Sequence, residues 1–162
     1  LGVQAGYTAV VFNGGLITSG VLFVVFAAGL FVHVSKGLGK AGAAILAAAC
    51  TALICIGIFN EHFSPTHFIV SVALFAFMPI AMLTLSAAFW RSNNRKLSIY
   101  TLTLALIAAI PWILQYTIPY VHKVAIPEFL TGAAGAIWVA TLSILMLKET
   151  NHNHSNSNKP TS

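Results

Sequence analysis

Five apolar runs, at 12–33, 41–59, 67–90, 97–118 and 127–147, leave this chain little choice of medium. Each matches the roughly 20 mostly apolar residues that a hydrocarbon core requires. In lipid a spanning segment must satisfy its own backbone groups, which a helix does alone and a strand does only in a closed barrel. The runs are too long for barrel strands and show no period-two alternation. Only 7% of the 162 residues are charged, against about 25% in an ordinary soluble domain. The expectation is an all-α fold, a polytopic transmembrane bundle of five helices within 1–147. A polar tail at 148–162, rich in Asn, Ser, His and Lys, should be disordered.

The net charge of +5 invites a nucleic-acid reading, but its distribution argues for topology instead. Lys36, Lys40, Arg91, Arg95, Lys96, Lys148 and Lys159 fall on one side of a five-span arrangement, and Lys123 alone falls on the other. That asymmetry is the positive-inside pattern. It predicts a multi-pass protein of the cell membrane, with the N-terminus of this chain outside and the C-terminus cytoplasmic. Nucleic acid is not an expected partner. Cys50 and Cys55 lie five positions apart in the second run, so a helix points them to different faces and they cannot pair.

Small residues mark the predicted packing faces. Gly15 with Ser19, and Gly132 with Ala136, are four-residue steps that let helix backbones approach closely in lipid. Such faces make other membrane subunits, or a second copy, expected partners beside the bilayer itself. The second run, with Ala41, Gly42, Ala43 and Ala44 at its start, is expected to be the most enclosed helix. Pro79 should kink the third. Trp90, and on the opposite side Trp112 and Tyr116, are expected in the interfacial belts.

The chain has only three carboxylates, and two stand at the ends of apolar runs with histidines nearby: Glu61 with His62 and His67, and Glu128 with His122. The predicted topology puts all five in one outer layer, joined by Asn13 and Gln115 at similar depth. Ionisable groups at membrane depth tend to face the bundle interior and to be functional. His67 and Glu128 are the candidate catalytic pair. Carboxylate and imidazole can share a divalent metal or divide acid and base roles, so His67 and Glu128 are also the ligands if a metal binds. No other cofactor is indicated. Ser71 follows His67 by four positions on one helical face, yet nothing resembles a nucleophile elbow. Each residue also has an ordinary explanation. His67 can simply open a helix capped by Ser64 or Thr66, and Glu128 suits the positive end of a helix.

Several strings carry a family likeness: Val11-Phe12-Asn13-Gly14-Gly15-Leu16-Ile17-Thr18-Ser19-Gly20, Gly57-Ile58-Phe59-Asn60-Glu61 followed by His67, Ala125-Ile126-Pro127-Glu128, and Ile137-Trp138-Val139. They resemble the domain-of-unknown-function 998 family of small prokaryotic, notably archaeal, multi-helix membrane proteins. Family members carry a helix upstream and a Ser-Asp-Leu-Gly motif, of which Leu1-Gly2 looks like the last two residues. Asn60 stands where the family has proline. The resemblance implies that Asn13, His67 and Glu128 match recurring polar positions, joined by an aspartate that would precede Leu1. It carries no activity.

Two functions compete on these residues. One is a lipid- or partner-binding membrane subunit with a polar outer layer. The other is a membrane-embedded metal-dependent or acid–base hydrolase, or a lipid-modifying enzyme, using His67 and Glu128. A proton or ion path ranks below both, because the inner halves of the helices offer little beyond Thr51, Thr84, Ser86, Thr101 and Thr103.

Overall fold

The computed structural model describes residues 6–34, 37–118 and 124–157. They form five long helices: α1 (Tyr7–His33), α2 (Leu38–Ile58), α3 (Thr66–Arg91), α4 (Arg95–Thr117) and α5 (Ala125–Ser157). One 3-10 turn, Glu61–Phe63, lies between α2 and α3. All five are long and apolar enough to cross a membrane. Each helix packs chiefly on its neighbours in sequence, with lighter contacts from α5 to α3 and to α1. The up-and-down order puts the α2–α3 and α4–α5 junctions at one end of the bundle and the other two junctions at the opposite end.

Two helix ends differ from expectation. α5 continues well past Leu147 to Ser157, through the polar stretch where a disordered tail was expected. Extending a helix already nucleated adds a hydrogen bond per residue without a second nucleation cost. At the start of α3 neither Ser64 nor Thr66 caps; Pro65 is the N-cap and makes no side-chain bond. Asn60 instead caps the preceding 3-10 turn, its Oδ1 accepting from the His62 backbone N–H at 3.1 Å.

Two kinds of packing hold the bundle. The first is close backbone approach among α1, α2 and α3. A Cβ on Gly57 would lie 2.8 Å from the Asn13 carbonyl oxygen, and one on Gly20 would lie 3.0 Å from the Ile54 nitrogen. Gly42 likewise sits against Leu85, 3.2 Å from its backbone nitrogen. These are not the small-residue steps anticipated above. Gly15 and Gly132 have nothing within 4 Å of a built Cβ. Close approach is decided by which way each helix is rotated, and the four-residue spacing alone does not report rotation. α2 is the most enclosed helix, with 44% of its apolar window inside the molecule against 17% for α1.

The second kind is a set of hydroxyl pairs radiating from α4. Ser86 and Ser98 each donate to the other's carbonyl oxygen, at 2.9 and 2.8 Å, tying α3 to α4. Tyr100 meets Thr141 at 2.8 Å, and Trp138 Nε1–H donates to Thr101 Oγ1 at 3.0 Å. Both tie α4 to α5. A hydroxyl left unpaired in lipid would cost more than its bond gains, so these pairs set how α3, α4 and α5 are rotated. Trp138 also meets Phe26 of α1 edge-on, ring centroids 6.0 Å apart. Cys50 and Cys55 are both free thiols.

Replacing Gly57 by Ala forces the backbones of α1 and α2 apart, and overpacking of this kind costs about 1–3 kcal/mol. The unfolding midpoint in mild detergent is expected to fall for Gly57→Ala. The same change at Gly132, in open space, leaves it level or raises it through helix propensity.

Candidate functional site

The α2–α3 junction is a folded-back clamp. The Phe59 N–H donates to the Cys55 carbonyl at 2.7 Å, the Phe63 N–H to the Asn60 carbonyl at 2.9 Å. The Phe59 and Phe63 rings meet edge-on, 6.0 Å between centroids. His67, in the first turn of α3, reaches back across this junction, and its Nδ1 lies 2.7 Å from the Phe59 carbonyl oxygen. A carbonyl only accepts, so Nδ1 carries the proton and donates. Nε2 is then the ring nitrogen left for a ligand, and the ring plane is fixed.

Below this clamp, α3, α4 and the start of α5 enclose a cavity of about 480 Å³. Its polar lining is Glu61, Ser64, His67, Ser71 and Glu128. Its apolar wall includes Phe68, Val72 and Phe75 of α3 with Trp112 and Tyr116 of α4. Phe75 and Trp112 have ring centroids 4.6 Å apart, and Tyr116 stacks beyond Trp112 at 6.3 Å and 25°. The three rings form one column. Trp112 Nε1–H donates to Thr131 Oγ1 at 2.9 Å, and Thr131 in turn donates to the Ala108 carbonyl at 2.9 Å. The hydroxyl of α5 thus holds an α4 ring against the cavity, and the Trp112 N–H is committed within the bundle. Tyr116, 71% exposed, does stand at the surface. Phe68 is 65% exposed beside the cavity, so the apolar wall continues onto the lipid-facing surface.

Of the residues singled out from sequence, Glu61, His67 and Glu128 come together on this lining, and His67 and Glu61 lie within electrostatic reach of Glu128. Glu128 sits in the first turn of α5, its N–H donating to the Val124 carbonyl at 3.0 Å. Asn13 is elsewhere, at the close contact of α1 with Gly57. His62 is exposed on the 3-10 turn, and Gln115 is half-buried on α4; neither lines the cavity. His122 lies outside the described residues.

The aromatic column and Ser64 were not read from sequence. A signal existed: continuing the four-residue step from His67 to Ser71 reaches Phe75, on the same face of α3. In the described residues no hydrogen bond joins His67 to Ser71 or to Glu128. Nor do three His, Cys, Asp or Glu side chains gather there as a metal-holding group.

The family model described as "Protein of unknown function (DUF998)" matches residues 1–145. The chain belongs to this family. No curated protein and no solved structure matches it. Family membership supports the membrane character of the bundle, and function has to be argued from the cavity.

Thr131→Val removes the acceptor of the Trp112 indole and unties α4 from α5 at the cavity. The expected loss is about 1 kcal/mol, the order found for interhelical hydrogen bonds in membrane proteins. It should appear as a lower unfolding midpoint in detergent. Thr117→Val, which removes only bonds to the Ile113 and Leu114 carbonyls within the exposed end of α4, should leave the midpoint unchanged.

Proposed function

We propose that this family member holds the head group of a membrane amphiphile in the cavity between α3, α4 and α5. The observation that carries the reading is the cavity's two-part lining. Carboxylates, hydroxyls and an imidazole stand at the helix ends, while Phe68, Val72, Phe75 and Trp112 continue towards the hydrocarbon depth. A few fixed polar groups over a largely apolar wall is the composition of a small-molecule site. The graded lining matches an amphiphile whose chains stay in the bilayer. The charge asymmetry supports an outward-facing cavity, since Lys40, Arg91, Arg95, Lys96 and Lys148 belong to the opposite end of the bundle. Other membrane subunits or a second copy remain partners in this reading through the uncovered faces at Gly15 and Gly132.

A second reading, acid–base chemistry on the bound amphiphile as in a hydrolase, draws on one observation. The Phe59 carbonyl fixes the tautomer of His67, as an orienting partner does for a catalytic imidazole. Binding ranks above it because, among the described residues, no nucleophile is hydrogen-bonded to that ring.

Protein in lipid nanodiscs, released for native mass spectrometry, is expected to retain at least one lipid. Val72→Trp, which fills the cavity from its lipid-facing side, should cut that retention about tenfold, equivalent to about 1.4 kcal/mol, with the unfolding midpoint preserved. Equal retention by both proteins would overturn the proposal. For orientation, Ser64→Cys should react with a membrane-impermeant maleimide on intact cells, and Ser92→Cys only after permeabilisation.

A further inference from the structure

The end of the bundle opposite the candidate site holds a second cavity, of about 590 Å³, lined from α1, α3, α4 and α5. Its inner wall is apolar, built from Leu30, Phe89, Leu142, Leu145 and Met146. Leu142 lies roughly 10 Å along α5 from Glu149 at the mouth. The polar lining has few hydrogen-bonding groups left to offer. Ser92 donates to the Phe89 carbonyl at 3.0 Å. Thr141 gives its proton to the Ile137 carbonyl, so the Tyr100 hydroxyl is the donor in their 2.8 Å pair. Glu149 Oε2 lies 3.1 Å from His33 Nε2. Asn94 Oδ1 accepts from the Leu97 N–H at 3.3 Å, and no described residue takes the two protons on its Nδ2. Among the described residues Lys96 has neither a hydrogen bond nor an ion pair. The strongest unspent groups of this lining are therefore donors, the Lys96 ammonium and the Asn94 amide.

We infer that this second cavity binds an anionic phospholipid, its phosphate against Lys96 and Asn94 and the start of its chains against Leu142 and Met146. The surrounding charge favours an anion. Arg95 and Lys96 open α4 with no acidic residue in its first turn, and Lys40, Arg91 and Lys148 belong to the same end. Lys40 lies over Phe31 at 4.5 Å and Arg95 over Trp90 at 5.1 Å, contacts that hold the cations without neutralising them. Glu149 is the one side-chain carboxylate at this end, since the other two are Glu61 and Glu128, and it is taken up by His33. Basic pockets between membrane helices bind anionic head groups on this principle. A zwitterionic head group brings its own cation to a mouth already rich in positive charge, which offsets much of the gain at its phosphate. A small soluble phosphate leaves the apolar wall uncovered, whereas a lipid removes that wall from water. α1 and α5 touch only lightly, so the chains can pass between them into the bilayer.

The test is native mass spectrometry of protein released from phosphatidylcholine nanodiscs doped with phosphatidylglycerol of distinguishable acyl mass. Protein-bound phosphatidylglycerol is expected to exceed its share of the nanodisc about tenfold. Lys96→Gln should lower that enrichment about fivefold, the weight of one lysine against an anionic head group, and Lys96→Arg should keep it. Asn94→Asp preserves a good helix cap, and so the unfolding midpoint. It exchanges the amide donors for a negative charge, and should bring bound phosphatidylglycerol down to its nanodisc share. Lys148→Gln removes the same charge outside the lining, and through screening should change the enrichment by less than about twofold. Val72→Trp, in the other cavity, should leave the enrichment level, which separates this inference from the reading proposed above. In pure phosphatidylcholine this second cavity retains no lipid, so retention there reads the first cavity alone. Wild-type protein without enrichment would overturn the inference, as would equal falls for Lys96→Gln and Lys148→Gln. Displacement of the lipid by an equal concentration of water-soluble glycerophosphoglycerol would overturn the lipid source.

Discussion

Helix α4 fixes the rest of the structure, because its polar side chains have no water to turn to. Ser98, Tyr100, Thr101 and Trp112 all find partners on other helices: Ser86 of α3, and Thr141, Trp138 and Thr131 of α5. In lipid there is no hydrophobic force drawing one apolar helix to another. Directional hydrogen bonds therefore select the rotation of α4, and with it the surface that α4 shows to the cavity. The bonds at Ser98 and Thr101 lie deep, where both residues are buried. The bond at Trp112 lies nearest the candidate site and transmits that rotation to the aromatic column.

The other half of the bundle is built differently. α1, α2 and α3 touch through Gly20, Gly57 and Gly42, where the absence of a Cβ lets backbone meet backbone. That contact is close and largely apolar. The contrast explains the position of the site. Space for a ligand opens where bulky aromatic and hydroxyl side chains hold helices apart, between α3, α4 and α5, and not where glycines draw them together. His67 bridges the two halves, since its helix is α3 and its hydrogen-bond acceptor, Phe59, ends α2.

The fold was legible in the sequence because the lipid-length runs admit only helices, and the family likeness agreed with that reading. Glu61, His67 and Glu128 were legible as a group because an up-and-down order brings alternate junctions to one end. Asn13 was not separable from them: depth along a helix can be counted, but direction around it cannot when apolar residues face both lipid and neighbour. The same uniformity concealed which glycines pack, so Gly15 and Gly132 stood out on spacing and Gly20 and Gly57 did the packing. It also hid the role of Trp112. A tryptophan near a helix end reads as an interfacial residue, and its tie to a threonine on another helix shows only once that helix is placed.

The most direct test of the cavity as a head-group site is photocrosslinking with a phospholipid carrying a diazirine at the head-group end of its acyl chain, mapped by peptide mass spectrometry. The cavity account predicts adducts concentrated on Phe68, Val72 and Tyr116, and their loss when unlabelled lipid competes. Adducts spread evenly over lipid-facing positions such as Leu22, Val25 and Ile144, and indifferent to competitor, would contradict it.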